Sequence, residues 1–326
     1  MGLMDSEALR ARREQRRRAL RRRRMAVSAL LVAVAVVVAI ILAASSSGGS
    51  SPGSQRAGHS HGAPRAAQHA RAPRVLSTAA APASGHPEAA SVPILMYHVI
   101  APPPPGAPFP GLYVPPGEFA EQMQALKDAG WHAVTLDQLA SHWRRGAPLP
   151  GGKPIVLTFD NGYQSQYTQA LPVLHRLGWV ADENIQLTGL PPSQGGLSEA
   201  QVRGLVAAGW ELDTQGFSHA DLITLGPGEL HYQVAVARST LQQRFHVPVN
   251  WFCYPSGHYD ATVIAAVKAA GYTGSTTVVP GWAHGSDDPY RLHRLRVLGG
   301  TTSRGLLEQI ASTRAAPPAP DTYSGA

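Results

Sequence analysis

Between residues 92 and 313, short apolar runs alternate with amphipathic segments, a pattern that predicts β and α units in succession. Strands are expected at Ile94–Val99, His132–Leu136, Ile155–Asp160, Ile185–Thr188, Trp210–Gln215, Trp251–Tyr254, Gly274–Val278 and Arg294–Leu298. Phe119, Met123 and Leu126 fall on one helical face, and Leu230, Val234, Ala237, Leu241 and Phe245 hold one face over four turns. Seven or eight strands separated by helices predict an α/β fold in which a parallel sheet closes into a distorted (β/α) barrel. An open doubly wound sheet is the alternative, weakened because no Gly-rich phosphate loop follows the first strand.

The flanking segments have different compositions. Residues 45–91 are Ser, Gly, Ala, Pro and His with few large apolar side chains, so they cannot bury enough surface to offset the entropy of ordering, and a disordered linker is expected. His59, His61, His69 and His86 lie in it at irregular intervals and read as solvated. Residues 314–326, rich in Pro and Ala, read as a disordered tail. Met25–Ala44 carries no charge over 20 residues, enough to cover about 30 Å of hydrocarbon as a helix. Arginines on its N-terminal side predict a transmembrane signal anchor with residues 1–24 in the cytoplasm and the domain beyond the cell membrane. A cleaved signal peptide is the competing reading, though its apolar core is usually about 7–15 residues.

Charge changes the picture less than its total suggests. The net +7 is carried by residues 1–24, where ten Arg face Asp5, Glu7 and Glu14, leaving 18 basic and 18 acidic residues elsewhere. A terminal run beside an apolar stretch is a topology signal and argues against nucleic-acid binding. Cys253 is the only cysteine, which excludes an intrachain disulfide; among Trp251, Phe252 and Tyr254 it reads as a small core hydrophobe.

Polar residues gather where three expected strands end: Asp160-Asn161-Gly162-Tyr163, Asp213-Thr214-Gln215 with Ser218-His219, and Tyr254-Pro255-Ser256-Gly257. Turn formers after a strand are ordinary, but the C-terminal ends of barrel strands are where active sites sit. PILMYHVI at 93–100, VLTFDNGY at 156–163, LDTQGFSHADL at 212–222 and WFCYPSGHYD at 251–260 resemble, in order and spacing, the polysaccharide deacetylases, the NodB-homology proteins of carbohydrate esterase family four. The resemblance implies a distorted β/α barrel and a hydrolase that removes acetyl groups from N-acetylated glycans with a divalent metal, commonly zinc.

Carried over residue by residue, the resemblance makes Asp160 the general base and His219 a metal ligand or acid. Asn161 and Gln215 stand where the family has an Asp and a His ligand, and neutral amides are poor zinc donors. Asp213 shares a strand face with Gln215 because side chains alternate with period two, so it is expected to bring a carboxylate toward the vacated position. Tyr254, Pro255 and Gly257 match the family's groove; His98 and His258 are candidates to line it, and His293 is a loose match to a late acid His. Trp179, Trp210, Trp251 and Trp282 are available for stacking or core. The run Ala181-Asp182-Glu183-Asn184 departs from the apolar run usual in the family, so the neighbouring strand is expected to be displaced. Two functions remain at this point: an anchored hydrolase of envelope glycans with an altered metal site, or an inactive glycan-binding relative of the same fold.

Overall fold

The computed structural model describes residues 90–188 and 195–325. The expected span at 25–44, the Arg-rich segment before it and the linker up to residue 89 lie outside these residues. No helix among the described residues is long and apolar enough to cross a membrane.

Among the described residues ten strands form in chain order: β1 (Ser91–Val92), β2 (Ile94–Tyr97), β3 (Trp131–Val134), β4 (Lys153–Asn161), β5 (Asp182–Ile185), β6 (Glu211–Thr214), β7 (Trp251–Cys253), β8 (Gly274–Thr276), β9 (Ala283–His284) and β10 (Leu295–Arg296). The main sheet runs β10-β2-β4-β5-β6-β7-β8, with β3 alongside the first half of β4, and every pairing in it is parallel. It curls toward closure: Leu292 N–H donates to the Ser275 carbonyl and Thr277 N–H to that of Leu292, bringing the approach to β10 against β8. The short antiparallel pair β1–β9 lies apart from this sheet.

Continuous apolar runs such as Ile94–Tyr97 are buried throughout, as parallel strands covered on both faces must be. Outward residues Leu95, Tyr97, Leu157 and Phe159 pack against the helix Pro116–Asp128, through its buried Phe119, Met123 and Leu126, and against helix Ser303–Ser312 through Leu306 and Ile310. The second predicted helix runs from Pro227 to Phe245, passing through a π-helical turn at Tyr232–Val236. Helix Leu136–Arg145 starts at a Thr135–Gln138 capping box and stops at Gly146, which has φ 64°. Its Leu136, Leu139, Ala140 and Trp143 pack on Ile94, Val156, Trp251 and Leu292, so this helix stoppers the barrel at the N-terminal end of the strands.

Two expectations need correction. The fourth strand is Asp182–Ile185, not 185–188: Asp182, Glu183 and Asn184 are fully buried in it. Hydrophobic patterning misses a strand whose inward face serves a polar interior. The C-terminal segment, expected to be a loose tail, is instead strapped to the domain. Tyr323 and Tyr259 exchange backbone hydrogen bonds, Tyr259 Oη donates to the Pro320 carbonyl, and Arg291 pairs with Asp321.

Candidate active site

Inward positions along β4, β5, β7 and β10 build a polar barrel interior. Asp160 lies near the end of β4 and is fully buried. Arg294, buried just before β10, grips it with two parallel bonds: Nη1 donates to Oδ1 at 2.8 Å and Nη2 to Oδ2 at 2.9 Å. Asn184 Nδ2 adds a third at 2.9 Å, and the Cys253 thiol lies 3.5 Å from Oδ2. Burial by itself raises the carboxyl's pKa, but the Arg294 charge and hydrogen bonds, with smaller help from His98 and Asn184, overcome it and hold Asp160 at about 2. Asp160 is therefore a permanent anion at neutral pH.

Above it opens a cleft of about 610 Å³ at the C-terminal ends of the strands, lined by His98, Asp160, Asn161, Tyr163, Gln186, Gln215, Ser218, His219, Tyr254, Ser256, Gly257 and Arg296, with Pro108, Phe109 and Leu298 among its apolar residues. Phe109 is 67% exposed and Leu298 42%, so the cleft has an exposed apolar rim. His98 Nε2 stands 4.0 Å from Asp160 Oδ2, and its Nδ1 is buried without a partner. Desolvation lowers the His98 pKa to about 4, with Asp160 opposing. Desolvation also lowers that of His219, again against Asp160, so both imidazoles are neutral near pH 7.

Backbone strain concentrates here. Four described residues other than glycine have positive φ, and three of them line the cleft: Asn161 (80°), His219 (53°) and Ser256 (56°). Asn161 ends β4, while His219 and Ser256 lie in the loops that follow β6 and β7, and such conformations cost about 1–3 kcal/mol unless the surroundings impose them. Gly257 follows at φ 77°, and a β-carbon there would collide with Val278.

The structure thus gathers Asp160, Asn161, His219, Gln215, Tyr254, Gly257 and His98 around one cleft. Others fall elsewhere. Pro255 sits in the turn Pro255–Gly257 without lining the cleft. His258 pairs with Asp221 at 3.0 Å, and His293 is buried with Nε2 3.0 Å from the Pro317 carbonyl, beneath the C-terminal strap. Trp179, Trp210 and Trp251 are core, and none of the four tryptophans considered for stacking lines the cleft.

Asp213 corrects a sharper expectation. It does share a face with Gln215, but successive residues on one face are about 6–7 Å apart along a strand. Gln215 reaches the cleft; Asp213, one layer deeper, accepts the Trp251 backbone N–H at 2.8 Å and clusters with Asp182 and Glu211 instead. The residues missed altogether are Arg294, Asn184 and Arg296. Arg294 and Arg296 share a period-two face, which was the one available signal.

The donor set for a family-type metal is consequently thin. Gln215 Oε1 is buried without a partner and His219 lines the cleft, but Asn161 and Gln215 offer only neutral oxygens, and Asp160 spends its carboxylate on Arg294 and Asn184. Among the described residues, the group of three His, Cys, Asp or Glu side chains close enough to share an ion lies outside the cleft. The residues present do not fit a tight zinc centre.

Comparison with known proteins points one way. The family model described as polysaccharide deacetylase matches residues 149–275. The chain is 30% identical over 226 residues to the Bacillus subtilis (strain 168) protein YxkH, assigned as a polysaccharide deacetylase, covering 69% of this chain and 78% of that one. A 61-residue stretch is 44% identical to the Escherichia coli (strain K12) poly-beta-1,6-N-acetyl-D-glucosamine N-deacetylase, 19% of this chain but only 9% of that protein. The solved structure of the Streptococcus pyogenes deacetylase PplD, in complex with acetate, superposes with a TM-score of 0.63 at 26% identity, covering 68% of this chain and 99% of that one.

Proposed function

Since the chain belongs to the polysaccharide deacetylase family, a family of hydrolases, we propose that it cleaves the acetamide carbon–nitrogen bond of N-acetylated sugars in an envelope glycan, working outside the cytoplasm on a membrane-anchored tether. The observation that carries this reading is the Arg-clamped anion Asp160 on the wall of an open cleft shared with neutral His219. The E. coli relative's named substrate supports an N-acetylglucosamine polymer, and the exposed Phe109 and Leu298 give a sugar face something to lie against.

His219, and not Asp160 as the resemblance implies, takes a proton from water as its oxygen adds to the acetyl carbonyl, because the Asp160 carboxylate is held by Arg294 and Asn184 with its pKa lowered to about 2. Asp160, close enough to favour the charged imidazole, stabilises the imidazolium that forms. The same proton then passes to the leaving amine, and acetate departs. Tyr163, whose pKa burial raises to about 12, remains a phenol able to donate to the substrate. Members of the family work with a divalent metal; here the amides Asn161 and Gln215 stand at two of its ligand positions and offer it only neutral oxygens. A glycan-binding relative without turnover is disfavoured, because a binder has no use for a buried anion held ready beside a neutral imidazole.

The test is acetate and free-amine release from N-acetylglucosamine oligomers by the full chain, with metal content measured alongside. Wild type should turn over, and His219→Ala should lose about 10²-fold or more. No turnover by wild type, with activity and tight metal appearing only in Asn161→Asp/Gln215→His, would refute the proposal and leave a glycan-binding groove.

A further inference from the structure

The interior beneath the cleft holds a second concentration of charge that the hydrolase reading does not use. Asp182 begins β5, and Glu211 and Asp213 lie on β6; strand register sets Asp182 beside Glu211. Asp182 Oδ1 accepts the Leu136 backbone N–H at 2.9 Å and Glu211 Oε2 that of Asp137 at 3.0 Å, so both carboxylates face the start of the helix that stoppers the barrel. Asp213 Oδ1 accepts from Trp251. The second oxygens, Asp182 Oδ2, Glu211 Oε1 and Asp213 Oδ2, are buried and accept no N–H; burial and the neighbouring carboxylates push all three carboxyl pKa values up, that of Glu211 to about 7, so a proton shared between Asp182 and Glu211 is what an ion would have to displace. One oxygen from each residue lies within 4.8 Å of the others.

Nothing positive answers this charge. Asp137, the nearest further acid, is itself occupied by Asn250 and Trp251, and among the described residues no Lys, Arg or His pairs with any of the four. Arg294, the basic residue of the interior, is committed to Asp160. Two backbone N–H groups at a helix start offset a fraction of a charge, not three. Buried carboxylates with unfilled lone pairs and no cation are costly unless an ion or protons neutralise them.

We propose that Asp182, Glu211 and Asp213 form an oxygen-only cation site of calcium type at the floor of the barrel, separate from the catalytic cleft, whose ion ties β5 and β6 to the stopper helix. Hard carboxylate donors without nitrogen or sulfur select a cation of this class over zinc. The spread of the oxygens suits it as well, since ligands at about 2.3–2.6 Å on opposite sides of an ion are about 5 Å apart.

The full chain, stripped by chelation, is titrated with Tb³⁺ and with Ca²⁺. Trp251, bonded to Asp213 through its backbone and to Asp137 through its ring, is placed to sensitise Tb³⁺ emission. One equivalent of Tb³⁺ should light up under tryptophan excitation and be displaced by Ca²⁺, and saturating Ca²⁺ should raise the unfolding midpoint by on the order of 5 °C. Both effects should vanish in Glu211→Gln and Asp213→Asn and persist in His219→Ala. Glu211, less enclosed than the fully buried Asp182 and Asp213, is the variant whose folding is least at risk. Absence of emission and of a Ca²⁺ shift in wild type would overturn the proposal and mean that protons neutralise the group. Loss of both in His219→Ala with retention in Glu211→Gln would place the ion in the cleft and overturn it equally.

Discussion

Arg294→Met removes the guanidinium from Asp160 while keeping most of the side-chain volume. The two groups are buried to within 1% of full enclosure, so solvent gives little screening. The fall of the Asp160 pKa from 3.8 to about 2 corresponds to about 2 kcal/mol of native-state stability. Because the folded value is the lower one, that contribution is present above pH 3.8 and is lost as pH falls through about 2. In the variant the same carboxylate keeps its burial and loses its cation, so its folded pKa rises above 3.8 and it becomes a stranded charge at neutral pH. Breaking a buried pair in this way costs about 3–5 kcal/mol, a large share of the ~5–15 kcal/mol that holds a domain together. Urea unfolding followed by tryptophan fluorescence across a pH series should show the wild-type and variant curves farthest apart at pH 7 and converging in acid, where Asp160 takes up a proton. Asp160→Asn in the Arg294→Met background should recover part of the loss. A penalty under about 1 kcal/mol at pH 7, or one that does not change with pH, would refute the reasoning.

Two further outcomes follow from the same packing. Gly257→Ala forces a β-carbon into Val278 at φ 77°, so it should lower the unfolding midpoint, with a cost of at least about 1–2 kcal/mol from the left-handed backbone alone, and depress turnover by moving the Tyr254–Gly257 turn; an unchanged melting curve would show that the turn yields freely. Cys253 is fully buried and its thiol pKa is raised by that burial, so a disulfide reagent should label the native protein only as fast as it unfolds; rapid labelling would mean the barrel interior opens locally.

The barrel was legible because apolar strand runs and period-3.6 helix faces survive where Leu95, Leu157, Phe119 and Leu126 meet, and the family was legible only through the resemblance carried by the motifs at 93–100, 156–163, 212–222 and 251–260. The local motifs were legible too: Asp160-Asn161-Gly162 and Tyr254-Pro255-Ser256-Gly257 mark sharp turns after strands whatever lies around them. β5 was misplaced because Asp182, Glu183 and Asn184 look like a loop until neighbouring strands surround them.

Period two could put Asp213 and Gln215 on one face, but not say which layer each reaches. Nor could it join Arg294 to Asp160 across 134 positions, or turn Asp213 away from His219 toward Asp182 and Glu211. The sequence by itself determined which residues face inward and where the chain turns, since both depend on chemistry a few residues wide. Only the tertiary structure decided which charges are paired and which are left facing one another, because that depends on how strand register stacks the inward residues into layers around a closed interior.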